Sequence, residues 1–171
     1  MVPLLVVLLQ EKQFILSLVV FVIAGITDAV DGWVAKRFDA VTKLGAILDP
    51  LADKALLVSA YVMLSIMQVI PFWLMVVVVF RDLVIITGYA IMVLFFGSVT
   101  MNPLSISKIN TFVQIAFIFF ALVALAFAID LEQLIFITSY IVLITSVVSG
   151  VAYVYIWSIK ATKLSEQASS G

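Results

Sequence analysis

Four aspartates stand in two pairs within apolar parts of the chain, where charged side chains are costly. Asp28 and Asp31 are three residues apart, and Asp49 and Asp53 are four apart. At these spacings each pair lies on one face of a helix. A charge near the centre of a bilayer costs at least about 2.5–3.5 kcal/mol, and such residues usually mark a functional cavity. The two pairs are therefore the first candidates for chemistry.

Carboxylates crowded into one small volume repel one another, and without a cation some of them would be protonated. Two antiparallel helices joined by residues 36–44 would place both pairs beside the same loop. Divalent cations relieve the repulsion. Because the chain contains no His and no Cys, an all-oxygen site favours Mg²⁺, Mn²⁺ or Ca²⁺ over Zn²⁺. The pattern predicts a divalent-metal centre.

A simpler interpretation gives these aspartates structural tasks. Asp49 precedes Pro50 and can cap a helix that has the proline at its first position. Either aspartate of the first pair can form an ion pair with Lys36 or Arg37. This interpretation explains one or two carboxylates, but not four on converging faces.

The composition is that of a helical membrane protein. Of the 171 residues, 65% are hydrophobic and 11% are charged, whereas a soluble domain carries about 25% charged residues. Several apolar stretches exceed the roughly 18 residues that indicate a membrane span. Six stretches can be distinguished, namely residues 1–9, 14–35, 45–67, 72–96, 105–129 and 134–159. We therefore predict an all-α, polytopic membrane protein with six transmembrane helices.

The first and last segments differ from the rest. As a helix, residues 1–9 would cover only about 13 Å of an apolar layer about 30 Å thick, and we expect this helix to be truncated. No internal repeat or second domain is evident, which predicts one membrane domain over residues 1–164. The small polar residues 165–171 predict a disordered tail.

Several functional classes are excluded by what the chain lacks. The net charge is −1 and there is no basic tract, so we expect no nucleic-acid partner. Without Cys, disulfides, thiolate metal sites and Cys nucleophiles are impossible. Without His, acid–base chemistry must come from carboxylates, Lys, Tyr or water.

Basic residues predict the orientation in the membrane. If the loops alternate between the two sides, one side receives Lys36, Arg37, Lys43, Lys160 and Lys163. The other side receives Lys12 with Glu11, Asp130 and Glu132. The first side should be cytoplasmic, and both termini should lie there.

Eight positions between residues 28 and 53 follow the spacing of one enzyme family. The stretch resembles D-x2-D-G-x2-A-R-x8-G-x3-D-x3-D, the signature of the CDP-alcohol phosphatidyltransferases. Its positions fall on Asp28, Asp31, Gly32, Ala35, Lys36, Gly45, Asp49 and Asp53, and seven of the eight match over 26 residues. The exception is Lys36, where the family usually has arginine. Lysine offers a point charge instead of two parallel hydrogen bonds to a diphosphate, and Arg37 can take over.

The resemblance implies that a phosphatidyl group moves from CDP-diacylglycerol to an alcohol, with release of CMP. Asp28, Asp31 and Asp49 would hold two divalent ions, Mg²⁺ or Mn²⁺. Asp53 would complete the metal shell and act as the general base on the acceptor hydroxyl.

The resemblance also implies how the CDP-lipid is held and how the helices are arranged. Gly32, Lys36 and Thr42 would contact the CDP moiety, while Ala35 and Gly45 would leave room for it. The family fold has six membrane helices around a polar cavity that faces the cytoplasm, generally in a homodimer. We expect an integral protein of a bacterial inner membrane that also contacts membrane lipids.

A later part of the chain bears on the acceptor. The segments around Arg81-Asp82 and from Ile106 to Gln114 resemble the cardiolipin synthase branch, which implies phosphatidylglycerol as acceptor. Glycerol 3-phosphate, the acceptor of phosphatidylglycerophosphate synthases, carries more charge and should need more cationic partners. Arg81 and Lys108 are the candidates for contacting the acceptor headgroup. Alternatively, Arg81 and Asp82 neutralise one another, and Lys108 anchors a helix near the lipid headgroups.

One rival interpretation is a cation transporter, because intramembrane carboxylates also line ion paths. Such sites lie near the bilayer midplane, often at broken helices. The aspartates of this chain instead cluster at the predicted cytoplasmic ends of two helices, which favours the enzyme.

Overall fold

The backbone is described for residues 1–37, 45–96 and 105–169 by a computed structural model. Side chains are described at these positions except 28, 29, 31–37, 45–53, 89, 92–96 and 160–169. The described backbone forms six helices and no strand. In chain order they are α1 Val2–Gln10, α2 Phe14–Arg37, α3 Gly45–Ile66, α4 Phe72–Phe96, α5 Ser105–Ala126 and α6 Glu132–Ser169. The all-α prediction is confirmed for this part of the chain.

Two helices are long and apolar enough to cross a membrane when only the described residues are considered. They are Ser105–Ala126 and Glu132–Ile159, while Phe14–Thr27 and Lys54–Ile66 are shorter apolar helices. The prediction of six membrane spans therefore goes further than this result, and it stays a prediction.

Three of the helices end in the same way. Lys12, Gln68 and Ala128 follow α1, α3 and α5 with φ of 58°, 59° and 51°. In each case the amide of the left-handed residue bonds to the carbonyl three residues back, and the next amide bonds to the carbonyl five residues back. This is the Schellman motif, in which glycine is the usual left-handed residue. Here three side-chain-bearing residues adopt the conformation instead.

Contacts between polar side chains give the direction of the later helices. Arg81 and Gly88 of α4 lie against Ser149 and Trp157 of α6, so these two helices run parallel. Along the contact between α5 and α6, higher residue numbers in one helix meet lower numbers in the other. Asn110 bonds to Ser146, whereas Ser107 and Ser149 both bond to Arg81. These two helices are therefore antiparallel.

The apolar core lies at the end of the bundle that contains the three Schellman turns. Helix α1 packs against both α2 and α3, and α2 packs against α5. The largest fully buried apolar side chains include Leu5, Leu9, Leu64, Leu74 and Ile118. Nearby, the Tyr61 and Phe117 rings stack with centroids 6.1 Å apart. The short α1 is thus held by burial, although it covers few residues.

Two helix ends differ from the sequence prediction by three residues or more. Helix α5 ends at Ala126 and not at 129, because Ala128 adopts the left-handed conformation that closes the turn. Helix α6 continues to Ser169, through most of the segment predicted to be disordered. Ala, Lys, Leu, Glu and Gln, all good helix formers, make up most of residues 161–168. The domain boundary at residue 164 stays a prediction.

Candidate active site

The aspartate pairs occupy helices, as their spacing requires. Asp28 and Asp31 belong to α2, and Asp49 and Asp53 belong to α3. The backbone is therefore helical at these positions, as it must be for each pair to lie on one face. Their side chains lie outside the described set, so the predicted convergence of the four carboxylates stays a prediction.

The donor chemistry of these positions fits a hard divalent cation. Four carboxylates, with no His or Cys anywhere in the sequence, offer only oxygen ligands, which suit Mg²⁺ and Mn²⁺. Among the residues with described side chains, no group of three or more Asp or Glu could hold a metal ion. The aspartates of α2 and α3 therefore remain the candidate ligands.

The residues predicted to hold the CDP-lipid flank the same connection. Gly32, Ala35 and Lys36 lie in the last part of α2, and Gly45 is the first residue of α3. Thr42 lies outside the described residues. The structure thus places four of these five positions on helices, and their contacts with a nucleotide stay predictions.

A buried ionic cluster begins one residue after Asp53. The Lys54 ammonium donates to both carboxylate oxygens of Asp82, at 2.8 and 2.9 Å. Arg81 donates through Nη1 to Oδ1 of Asp82 at 2.7 Å. The Asp82 side chain is 5% exposed and that of Lys54 24%. One carboxylate of α4 therefore holds two cations, one of them from α3.

Arg81 extends this cluster to two further helices. Its Nη2 donates to Ser107 Oγ of α5 at 2.7 Å and to Ser149 Oγ of α6 at 2.6 Å. Gly150 leaves room for the stem, because a Cβ there would meet Arg81 Cγ at 3.6 Å. The ion pair with Asp82 is the alternative that the sequence left open for Arg81. Lys108, by contrast, is exposed.

A second, uncharged set of contacts continues the polar seam between α5 and α6. Ser146 donates to Asn110 Oδ1 at 3.0 Å, and Gln114 Nε2 donates to Ser146 Oγ at 3.3 Å. The Tyr61 hydroxyl of α3 reaches the Gln114 carbonyl at 3.4 Å. Asn110, Gln114 and Ser146 are fully buried. The side chains that hold α5 against α6 are therefore polar in this part of the bundle.

Several polar atoms in the seam have no partner among the described residues: Arg81 Nε, Asn110 Nδ2 and Gln114 Oε1. In an apolar surrounding, each such atom costs about 1–3 kcal/mol unless water reaches it. Apolar side chains at these positions would pack without that cost.

Sequence reasoning raised the pair of Arg81 and Asp82 but missed the other partners of the cluster. Lys54 and Asp82 are charged residues of apolar segments, but the spacing of 28 residues between them carries no signal. Ser107 and Ser149 carried none either, because serine is common in membrane helices. One acidic and two basic residues, Asp82, Lys54 and Arg81, lie in apolar segments that follow one another in the chain. That combination is the clue that could have suggested a shared ion cluster.

Comparison with known proteins adds an independent observation. The sequence model of the CDP-alcohol phosphatidyltransferase family matches residues 1–157. A probable cardiolipin synthase (CMP-forming) of Drosophila melanogaster is 35% identical over 122 residues, which are 62% of this chain and 38% of the relative. The CDP-diacylglycerol–glycerol-3-phosphate 3-phosphatidyltransferase of Bacillus subtilis is 36% identical over 97 residues, 57% of this chain and 49% of the relative.

A third relative, the cardiolipin synthase (CMP-forming) of Rattus norvegicus, is 33% identical over 141 residues, 73% of this chain and 47% of the relative. The chain thus spans less than half the length of these three relatives. The family match covers the aspartate helices, the ionic cluster and the polar seam together. The chain belongs to the CDP-alcohol phosphatidyltransferase family.

Proposed function

We propose that the chain transfers a phosphatidyl group from CDP-diacylglycerol to the hydroxyl of phosphatidylglycerol and releases CMP, as a cardiolipin synthase does. The observation that carries this proposal is the family match over residues 1–157, together with the placement of both aspartate pairs on helices. Phospholipid biosynthesis is the process to which such an enzyme contributes.

In the proposed reaction Asp53 accepts the proton of the acceptor hydroxyl. The acceptor oxygen attacks the phosphorus that carries the diacylglycerol, and the bond from this phosphorus to the bridging oxygen of CMP breaks. Asp28, Asp31, Asp49 and Asp53 would hold two divalent cations, which when bound neutralise the diphosphate and stabilise the departing CMP. Positioned proton transfer of this kind contributes about 10²–10⁴-fold to a rate.

Binding of the CDP moiety falls to the connection between α2 and α3. We propose contacts from Gly32, Lys36 and Thr42, with space left by Ala35 and Gly45. Lysine at position 36 supplies charge for the diphosphate without the planar fork of arginine.

The lipid tails have a candidate path beside the aspartates. An apolar cavity of about 750 Å³ between α2, α3 and α5 is lined by Gly25, Leu56, Leu57 and Phe112, among others. Gly25 precedes Asp28 by three residues, and Leu56 follows Asp53 by three. A substrate whose headgroup reaches the aspartates could therefore place an acyl chain in this cavity.

The choice of acceptor rests on which basic side chains are accessible to its headgroup. Both terminal nitrogens of Arg81 already bind Asp82, Ser107 or Ser149, which leaves Lys108 as the more accessible base. We retain both as candidate acceptor contacts, with Arg81 acting through its charge. The small number of accessible cations among the residues with described side chains suits phosphatidylglycerol better than the more highly charged glycerol 3-phosphate. That second acceptor remains the alternative because the Bacillus subtilis relative carries its name.

We further propose that all six helices lie in a bacterial inner membrane, as a homodimer, with the aspartates and both termini on the cytoplasmic side. The basic residues near the ends of α2 and α6 support this orientation. A cation transporter stays a remote alternative, and it predicts ion flux without any transfer of lipid.

An acceptor panel tests the proposed function. The purified chain in lipid vesicles would receive labelled CDP-diacylglycerol with phosphatidylglycerol, glycerol 3-phosphate, inositol or serine. We expect product from phosphatidylglycerol and release of CMP. Product from glycerol 3-phosphate alone would make glycerol 3-phosphate the acceptor in place of phosphatidylglycerol. No product from any acceptor would refute the proposed enzymatic activity.

Asp53→Asn is the matched test of the proposed base. We expect transfer to fall by at least about 10²-fold while metal-dependent binding of CDP-diacylglycerol largely persists. Asp130→Asn is the control, because Asp130 is exposed beyond the end of α5 and its side chain accepts a single hydrogen bond among the described residues, from the Glu132 amide. Full activity in Asp53→Asn would remove this residue as the base.

A further inference from the structure

A row of side chains on α5 separates two apolar grooves. The row, called here the α5 ridge, consists of Phe112, Ala116 and Phe120, which are four residues apart and therefore lie along one line of the helix. On one side is the cavity of about 750 Å³ between α2, α3 and α5, called the α2–α5 groove. On the other side, α5 and α6 form a cavity of about 350 Å³, called the α5–α6 groove. All three ridge residues line both grooves.

Both grooves suit hydrocarbon chains. Their described lining contains no charged residue. Phe112 is 72% exposed and Phe120 is 56% exposed, so the ridge projects outward from the bundle. Helix α5 is one of the two described helices that are long and apolar enough to cross a membrane, where lipid acyl chains surround such a helix. The grooves therefore offer two separate sites for acyl chains, one on each side of α5.

Lys108 continues the α5 ridge toward the start of the helix. It precedes Phe112 by four residues, so it lies on the same line of side chains, about 6 Å further along the helix axis. Lys108 is exposed, and α5 begins only three residues earlier, at Ser105. A lysine so close to the end of a membrane helix reaches the level of the lipid headgroups. Its charge is complementary to the phosphate of a lipid whose chains enter the two grooves.

The ionic cluster places Lys108 at the same end of the bundle as Asp53. Ser107, the neighbour of Lys108, accepts a hydrogen bond from Arg81. Arg81 binds Asp82, which binds Lys54, the neighbour of Asp53 in α3. A headgroup at Lys108 therefore lies on the side of the bundle where the backbone of α3 carries the proposed base.

We propose that a two-chain anionic phospholipid, phosphatidylglycerol, straddles α5, with its phosphate at Lys108, one acyl chain in the α2–α5 groove and the other in the α5–α6 groove. This inference deepens the proposed function and rests on it for the role of this lipid as the acceptor. Glycerol 3-phosphate, which has no acyl chains, would leave both grooves to other lipids.

Photolabelling tests this binding mode without turnover. The purified chain would be placed in phosphatidylcholine nanodiscs that contain phosphatidylglycerol with a diazirine on one or the other acyl chain, and no CDP-diacylglycerol. Mass spectrometry would then map the adducts. We expect adducts in the lining of both grooves and at least about fivefold fewer at Ile144 and Val147, which are exposed on α6 but belong to neither described lining. Adducts in one groove only, or equally frequent at Ile144 and Val147, would overturn the proposal.

Substitution of Lys108 tests the contact with the phosphate. We expect Lys108→Met to lower the adducts in both grooves about fivefold, which is the effect of one basic side chain near a membrane surface. Lys108→Arg keeps the charge and should retain the adducts. Unchanged labelling in Lys108→Met, or an equal fall in both variants, would overturn this contact.

Filling one groove at a time tests the two chain sites separately. Gly25→Phe should remove only the adducts of the α2–α5 groove, because a Cβ at Gly25 has no neighbour within 4 Å and the ring enters open space. Thr138→Phe should remove only those of the α5–α6 groove, since the Thr138 hydroxyl bonds to carbonyls of its own helix. Ile144→Phe is the matched control and should change neither set. Loss of both sets in every variant would contradict two separate sites.

The outcomes separate this inference from the proposed function. The labelling of the wild-type chain depends on no substitution, and grooves without adducts, as expected if a second copy of the chain covers them, would overturn the inference. If both grooves are labelled but the acceptor panel gives no product from phosphatidylglycerol, the proposed acceptor fails and the lipid site stands. If phosphatidylglycerol gives product while the grooves remain unlabelled, the proposed function stands and the straddling mode fails.

Discussion

Arg81→Lys keeps the positive charge in the ionic cluster but replaces the planar guanidinium group, with its several donors, by a single ammonium. Arg81 uses two nitrogens to bind a carboxylate on α4 and one serine each on α5 and α6. A lysine ammonium is a single nitrogen on a different stem, and it cannot reach all three partners. We expect the substituted side chain to keep its contact with Asp82 and to lose the two serines.

The magnitude follows from the contacts that are lost. Hydrogen bonds to a charged group contribute about 1.5–3 kcal/mol each in water-soluble proteins, whereas measured interactions between membrane helices average about 0.6 kcal/mol and reach about 1.7. The two bonds from Arg81 Nη2 are short, at 2.7 and 2.6 Å, which places them toward the upper end. We therefore expect a loss of about 2–3 kcal/mol in the free energy of unfolding.

Reversible unfolding in mixed micelles, followed by tryptophan fluorescence, measures this loss. Ser146→Ala is the control, because it removes only uncharged bonds to Asn110 and Gln114 and should cost about 1 kcal/mol. Acceptor kinetics run in parallel. If Arg81→Lys unfolds like the wild-type chain and only the KM for the acceptor rises, tenfold or more, Arg81 is an acceptor ligand and its structural role is refuted.

Three further outcomes test the fold and the metal. Gly88→Ala should lose about 1–3 kcal/mol of stability, because an added Cβ would overlap the Trp157 ring and overpacking costs this much. Gly25→Ala is the control: no atom lies within 4 Å of its added Cβ, so it should gain up to about 1 kcal/mol. Equal effects of the two substitutions would contradict the contact between Gly88 and Trp157. Ala128→Gly should gain roughly 0.5–1 kcal/mol at its positive φ of 51°, whereas Ala116→Gly inside α5 should lose about that amount. Chelation of divalent cations should stop phosphatidyl transfer, and added Mg²⁺ or Mn²⁺ should restore it; turnover that persists with a chelator would exclude the metal.

The helices could be predicted from the sequence because hydropathy reports them directly. Helices α2, α3 and α4 begin at the expected residues 14, 45 and 72, and they end within two residues of the expected positions. The end of α5 was placed three residues too late. Its left-handed residue is Ala128, and alanine is otherwise the strongest helix former, so nothing in the sequence marked the turn.

Part of the candidate site could likewise be predicted from the sequence, and part of it could not. A local spacing, such as that of Asp28 and Asp31, is meaningful within one helix, and the backbone of α2 has the helical form it requires. The partners of Arg81 are 26 and 68 residues away. Their pairing depends on the register between helices, which follows from packing over whole helix lengths and has no local signature. Ser107 and Ser149 therefore became visible only in the structure.

The uneven distribution of polar contacts along the bundle bears on function. At the end with the Schellman turns, residues such as Leu9, Leu64 and Leu74 are fully buried and shape complementarity suffices. Toward the aspartates, the helices are instead joined by Asp82 and Arg81, although a buried ion cluster is often no more stabilising than apolar packing. What such a cluster provides is direction, since each bond requires a particular geometry. The cluster therefore fixes how α3, α4, α5 and α6 meet next to Asp53, the last of the four candidate ligands along the chain.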